Sequence, residues 1–321
     1  MRKWVIDVDV WHDIKPEQWA SMVSNGLSGV IIRAVQADTF VDKLLDVHVG
    51  NAKYYNLPFG LYQWVDPTRP ATAQADYFLP LINKYQPVFA AGDFEQYWSS
   101  WQEWYNKYTL GQNVDLSMLS PAQIYNTSSA YITYLAGKLK IPFVAYTGAW
   151  YINGFCPQLE SLLNNYPYWN ARFLEWNKST MTFAEFQTFI ADLQPSSPML
   201  PHGCTHWEIW QISPHLPLPN LPALDIDLVK DDNTYIKVFG GLGSPPYIPP
   251  TPPVPVYKQY QVTATIGLRV RSTPVVSYTN YLYTMQFGTI VTAYEVQNGW
   301  ARIKPDSPEW CSMQWLQEIT S

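Results

Sequence analysis

Eight short apolar, β-rich runs recur through the first 240 residues and constrain the fold more than any other feature of the chain. They are WVIDVDV (4–10), GVIIRAV (29–35), FGLYQWV (59–65), PVFAAGDFE (87–95), PFVAYTG (142–148), ARFLEWN (171–177), HWEIWQI (206–212) and ALDIDLV (223–229). Helix-compatible stretches separate the first five: PEQWASMVSNG with Gly26 as its stop, DKLLDVHVGNAKYYN, ATAQADYFLPLINKY and SPAQIYNTSSAYITYLAGKLK. TFAEFQTFIADLQ fills the sixth gap, and the last gap is short and Pro-rich. Nearly continuous apolar strands alternating with helices predict a parallel sheet covered on its faces. Eight of them predict an α/β fold, a (β/α)-barrel of TIM type whose last helices are reduced.

SPPYIPPTPPVPV (244–256) ends this pattern. Its prolines remove backbone donors and favour extended polyproline II, a semi-rigid spacer. The chain is therefore expected to divide into a barrel domain (1–240), a linker (241–258) and a small domain (259–321). The last reads as short alternating strands with turns at Thr273-Pro274, Phe287-Gly288 and Asn298-Gly299, a small all-β barrel.

Hydrophobic residues make up 47% of the 321 and charged residues 14%, so a sizeable core is easily built. The net charge is −6 and no basic run appears, which argues against nucleic acid as a partner. The apolar runs fall far short of the ~18 residues of a membrane span, so no membrane insertion is expected. Cys156, Cys204 and Cys311 are odd in number, widely spaced and without a metal-ligand pattern, so no disulfide is expected. The N-terminal MRKWVIDVDV enters a strand at once and shows neither an h-region nor a cleavage site. Aromatic residues reach 16%, with 15 Trp and 23 Tyr. That excess suits a large core or the apolar faces of sugar rings, and composition leaves both open.

The acids are placed more tellingly. Asp93 and Glu95 stand one residue apart, and on a strand such a pair faces the same way with Cα atoms roughly 6–7 Å apart. Like charges that close raise one another's pKa, and a pair of acids with split pKa values is what sugar hydrolysis needs. Asp7, Asp9, Gln63, Thr147, Gln211 and Asp227 also lie within or near the C-terminal ends of predicted strands, the end that carries chemistry in such barrels. The run YWSSWQEWYNKY (97–108) puts Trp98, Trp101, Trp104, Tyr105 and Tyr108 at helical spacing, which suits packing on the barrel or a stacking platform beside Glu95.

These residues resemble glycoside hydrolase family 25, the N-acetylmuramidases that include phage endolysins and bacterial autolysins. The resemblance is carried by IDVD (6–9), GLYQW (60–64), AQADYF (73–78), GDFE (92–95), AYTG (145–148), WNARF (169–173), WQIS (210–213) and DID (225–227), in the family's order. It implies an irregular barrel of five β/α units followed by three strands. The tail resembles bacterial SH3-type domains through GLRVRSTP (267–274) and NGW (298–300), which implies attachment to wall peptide or glycan.

The resemblance also implies roles. Glu95 would protonate the glycosidic oxygen. Asp93 would orient and polarise the substrate N-acetyl group, or act as the nucleophile, and spacing leaves both open. Asp7 and Asp227 match the remaining acids of the family, as positioning and electrostatic support. Tyr62, Tyr146 and Gln211 match pocket positions, with Asp9, Gln63 and Trp64 beside them. No metal or cofactor is required. Departures include AVQA (34–37), where Gln36 replaces a Glu, Gln63-Trp64 in place of His-Phe, Val229 in place of Asn, and Asp9 in place of Ser. Asp7 and Asp9 share a strand face, which leaves open which of them enters the pocket.

The reading is a monomeric peptidoglycan hydrolase acting on the bacterial wall, either a phage or prophage endolysin or a trimmed secreted protein. Its rivals are a chitinase-like N-acetylhexosaminidase barrel and a non-catalytic glycan-binding protein.

Overall fold

The computed structural model describes residues 2–174, 180–193, 196–216, 218, 220–240, 257–277, 279–305 and 307–319. The chain forms two compact units, residues 1–251 and 252–321. The expected linker lies outside the described residues except at its end, where Lys258 already opens a strand.

The first unit contains β1 (Trp4–Val8), β2 (Leu27–Gln36), the short β3 (Phe40–Val41), β4 (Phe59–Trp64), β5 (Phe89–Asp93), β6 (Phe143–Gly148), β7 (Tyr168–Ala171), β8 (Ile209–Leu216) and β9 (Leu224–Val229). Between and after them run α1 (Pro16–Ser24), α2 (Leu45–Tyr54), α3 (Ala71–Tyr85), α4 (Trp101–Tyr108), α5 (Pro121–Lys138), α6 (Ala149–Phe155), α7 (Glu160–Leu163), α8 (Phe183–Asp192) and α9 (Asp232–Phe239). Local chemistry sets several helix starts. Ser120 and Gln123 form a capping box around Pro121 in the first turn of α5, and Thr182 and Glu185 form another at α8.

Strands β1, β2, β4, β5, β6, β7, β8 and β9 pair in that order and close on β1, while β3 adds to β2. Neighbours are parallel except at β3, which is antiparallel to β2, and at β9, which is antiparallel to both β8 and β1. The expectation of parallel strands fails at β9 for a simple reason. Only residues 217–223 join β8 to β9, and a parallel crossover needs a dozen or more. The sixth strand also sits earlier than ARFLEWN, at 168–171. Pro167 already accepts a bond from Ala145 N, so the pairing with β6 begins there. Residues 175–177 of that stretch lie outside the described residues.

The barrel interior is apolar at its floor, where Val5, Ile31, Phe89, Val144, Ile209 and Val229 meet Val238 and Phe239 of α9. Gly60 makes room for this plug: a Cβ there would stand 2.2 Å from the Phe89 ring. A second, larger apolar layer fills the space between the strands and the helices.

The second unit is all β. It contains β10 (Lys258–Val262), β11 (Leu268–Arg271), β12 (Tyr281–Met285), β13 (Ile290–Ala293), β14 (Glu295–Gln297), β15 (Trp300–Arg302), β16 (Trp310–Ser312) and β17 (Leu316–Glu318). They form a three-stranded sheet, β13-β10-β17, and a five-stranded sheet, β12-β11-β16-β15-β14. Val262, Leu268, Val270, Ala301 and Cys311 are among its core residues. Asn298 and Gly299 both take positive φ in the hairpin between β14 and β15, the conformation this residue pair favours. Of the three tail tryptophans, Trp310 is buried, Trp300 is half-buried and Trp315 is exposed. Among the described residues no helix is long and apolar enough to cross a membrane.

Candidate active site

Strand alternation sends every second side chain into the barrel, and above the apolar floor those positions turn acidic. Asp7 follows Val5 on β1, Asp93 follows Phe89 and Ala91 on β5, and Asp225 and Asp227 precede Val229 on β9. Glu95 stands just past β5, where Phe94 N donates to Tyr146 O at 2.9 Å and Val65 N donates to Asp93 O at 3.0 Å. These bonds carry the sheet pairing beyond the strand and hold the two acids on one rim.

Fixed donors surround them. Gln211 Nε2 donates to Asp7 Oδ2 at 2.8 Å, and Tyr146 Oη donates to Gln211 Oε1 at 2.7 Å. Trp169 Nε1 donates to Asp227 Oδ1 at 2.6 Å. The Trp169 ring lies against Tyr146 and Tyr62, at centroid distances of 4.4 and 6.0 Å. Asp93 Oδ1 and Asp227 Oδ2 are buried and have no hydrogen-bond partner among the described residues.

Burial and mutual repulsion shape the protonation of this cluster. Burial, then the charge of Asp7, pushes Glu95 up to about 7. Asp93 is raised well above the usual carboxylate range by burial, then by Glu95 and Asp7, with Arg33 opposing. Asp227 is raised by burial and then Asp7, and Asp225 by the same causes to about 10. Asp7 is raised by burial, against the bond from Gln211. Carboxyls this close cannot all ionise, so the cluster holds protons into the neutral range as a shared set. Among the described residues no group of His, Cys, Asp and Glu side chains is arranged to hold a metal ion.

A barrel with paired acids at its rim is shared by more than one hydrolase fold, and the sequence of this one decides among them. Residues 6–221 match the family model described as glycosyl hydrolases family 25. The chain belongs to glycosyl hydrolase family 25. Its fold is that of solved members. The bacterial lysozyme from Streptomyces coelicolor matches with a TM-score of 0.55 at 19% identity, over 74% of this chain and 98% of that one. The family 25 lysozyme from Aspergillus fumigatus matches at 0.54 and 16% identity, over 75% and 100%. The catalytic domain of an endolysin from bacteriophage P40 of Listeria monocytogenes matches at 0.51 and 16%, over 75% and 98%. At these identities the likeness is one of fold. A search of curated proteins finds no match.

Within this family 25 barrel, the structure brings Asp7, Asp93, Glu95, Asp227, Tyr62, Tyr146 and Gln211 to the interior. Asp9 takes a different place. Its carboxylate bonds Arg33 Nη1 at 3.0 Å and lies 3.1 Å from His12 Nδ1. Trp64 is on the interior face at the end of β4, with Nε1 donating to Gln96 Oε1 at 3.2 Å. Gln63 is a correction. It points outward into the layer beneath α3 and α5, where its Nε2 donates to Ala37 O and Gln74 O and its Oε1 accepts from Tyr131 Oη. Alternation explains it, since Tyr62 faces inward and its neighbour must face out. Thr147 is likewise buried on the outer face. Gln36 returns to the interior side because a register shift between Arg33 and Val35 reverses the alternation, leaving it level with Trp64.

Two interior residues escaped the sequence reading. Asp225 lies at the N-terminal end of its strand, away from the C-terminal strand ends that mark the site in a parallel barrel. β9 is antiparallel, so its N-terminal end lies at the rim and Asp225 stands nearer the mouth than the fully buried Asp227. The short loop before it was the available signal. Arg33, a cation inside an acid-lined barrel, was visible as the i+2 neighbour of Ile31. Its Nε donates to Asp42 Oδ2 at 3.0 Å.

Proposed function

We propose that this protein is a muramidase, which cleaves the β-1,4 bond between N-acetylmuramic acid and N-acetylglucosamine in peptidoglycan. The observation that carries the reading is Glu95: a rim carboxyl pushed to about 7, just past the end of β5 and two residues beyond Asp93. A general acid needs its proton near working pH, and Glu95 has it. Glu95 protonates the leaving oxygen and then, as a carboxylate, accepts a proton from water. Asp93 presents a buried, unpartnered Oδ1 that suits the N–H of a substrate N-acetyl group. The N-acetyl oxygen attacks the anomeric carbon as the protonated leaving oxygen departs, and the water deprotonated by Glu95 then breaks that new C–O bond, so two inversions give retention of configuration by substrate assistance. Asp7, Asp225 and Asp227 supply electrostatic support, with Gln211 and Tyr146 fixing Asp7. Tyr62, Trp64 and Asp9 line the approach. The C-terminal unit is proposed as an SH3-type wall-binding domain. The protein acts on the bacterial wall as a monomer, as an endolysin or a secreted enzyme.

The test is to incubate purified peptidoglycan with the wild type and with Glu95→Gln and identify the released reducing ends by mass spectrometry. Muramic-acid ends are expected from the wild type, with a rate lower by about 10²–10⁴ in the variant, the usual worth of a general acid. N-acetylglucosamine ends would point to a glucosaminidase. No release from either protein, with both still pelleting with the wall, would leave a glycan-binding protein.

A further inference from the structure

The connection from β5 to α5 carries aromatic rings that continue outward from Trp64 of β4 and that the catalytic reading leaves unused. Trp64 pairs with Asp93 in the strand register, on the interior face. Its ring lies 6.2 Å from Trp98 and 6.1 Å from Trp101. The series runs on from Trp101 to Trp104 at 5.8 Å and from Trp104 to Tyr108 at 5.6 Å. Polar bonds lock its inner end. Gln96 accepts from Trp64 Nε1 and its Nε2 donates to Asp66 Oδ1 at 2.9 Å, while Trp101 Nε1 donates to Asp66 Oδ2 at 3.0 Å. The base of the loop is braced by Ser99 N donating to Ser117 O at 2.8 Å and Leu119 N donating to Tyr97 O at 2.9 Å.

Helix α4 nevertheless buries none of its residues. Tyr105 is 46% and Tyr108 54% exposed, and Trp101 and Trp104 remain half-buried. Trp104 rests one face on the buried Trp98, with centroids 5.7 Å apart, which fixes the ring while leaving it half-buried, and rings fixed in this way lose little freedom when a flat apolar surface settles on them. The row starts beside Asp93 and leads outward from the acids. We propose that Trp64, Trp101, Trp104 and Tyr108 form a stacking platform for sugar residues of the glycan strand beyond those at the cleaved bond. The occupant is a glycan because the row is continuous with the carboxylate rim, so the proposal rests on the muramidase reading.

The experiment compares the full-length wild type, Trp104→Ala and Tyr108→Ala on long peptide-free glycan strands and on a short tetrasaccharide of the same polymer. The ratio of long-strand to tetrasaccharide kcat/KM is expected to fall about ten-fold for Trp104→Ala, chiefly through KM. Trp104→Phe, which keeps a ring, should recover most of that ratio and separates loss of stacking from misfolding. An unchanged ratio in both alanine variants would overturn the platform. A second arm titrates the Glu95→Gln chain with the same strands and follows tryptophan fluorescence. A saturable change that Trp104→Ala abolishes supports the platform even if the wild type cleaves nothing, in which case the muramidase reading alone falls. Cleavage by the wild type with a titration that Trp104→Ala leaves unaltered overturns the platform and spares the enzyme.

Discussion

Asp7 and Asp9 lie two residues apart at the start of the chain, face the same way, and meet opposite surroundings. Asp9 lies against Arg33 and His12, and Arg33 is also bound by the fully buried carboxylate of Asp42. Burial raises Asp9, but His12 and Arg33 outweigh it and hold the carboxyl below its usual range. Asp7 has a neutral amide for a partner and other acids for neighbours, and its carboxyl is raised. The barrel mouth thus has a charge-compensated side and an uncompensated side. The first holds structure, and the second stores protons where a glycosidic oxygen would need one.

The largest effect should come from breaking the compensated side. Arg33→Met leaves Asp9 and Asp42 without their shared cation, and losing one partner of a buried ion pair costs about 3–5 kcal/mol. Denaturant unfolding of the first unit's transition would register it. A loss under about 1 kcal/mol, the usual worth of an exposed pair, would mean that the network is solvated and the contrast is false.

The two sides should also respond to pH with opposite signs. Asp225 is raised to about 10, so the folded state holds its proton more tightly than the unfolded chain. The stability this contributes is complete below the ordinary carboxylate pKa of about 4 and is lost as pH rises toward the folded value. The melting temperature should therefore fall from pH 5 to pH 9, and less steeply in Asp225→Asn. Asp9 is held low, so its contribution is present above about pH 4 and lost on acidification, and Asp9→Asn should flatten the acid limb. Parallel profiles for wild type and both variants would remove the distinction.

Activity offers a narrower measure of the same repulsion. On the proposed role of Glu95, whose carboxyl is pushed up to about 7, kcat/KM should decline above that pH as the proton is lost. Asp7 is the second cause of the shift after burial, so the alkaline limb of the residual activity of Asp7→Asn should move to lower pH. A limb that stays in place would assign the shift to burial alone.

Much of this was legible in the chain. The strands announced themselves by length and by their helical separators, and Asp93 and Glu95 by a spacing that only a shared face makes meaningful. What was hidden depended on direction and phase. Gln63 faces outward by one residue of alternation, and Asp225 was hidden by the antiparallel run of β9. Gln36 reaches the interior only through an irregularity at Ala34 that no local propensity marks. The pairing of Asp9 with Arg33 and Asp42 joins three segments that become neighbours only through the β1–β2 and β2–β3 pairings, so whether Asp7 or Asp9 carries the uncompensated charge could not be read from IDVD.

The smallest expected effect tests how the uncompensated side is kept in order. Tyr146 Oη fixes the Gln211 amide so that its Nε2 faces Asp7, and removing the hydroxyl in Tyr146→Phe leaves a buried carbonyl oxygen without its donor. The stability cost should be about 1 kcal/mol, the net worth of one buried hydrogen bond. The amide can then turn, and Asp7 loses the interaction that opposes its burial, so its carboxyl should titrate at still higher pH. Carbon-13 NMR of the aspartate carboxyls would follow this directly, with Asp9 as the internal control because its partners are Arg33 and His12. A shift at Asp7 alone would show that one phenol tunes one acid. Equal shifts at both would mean that the two sides of the mouth titrate as a single network, and the contrast between them would be one of degree.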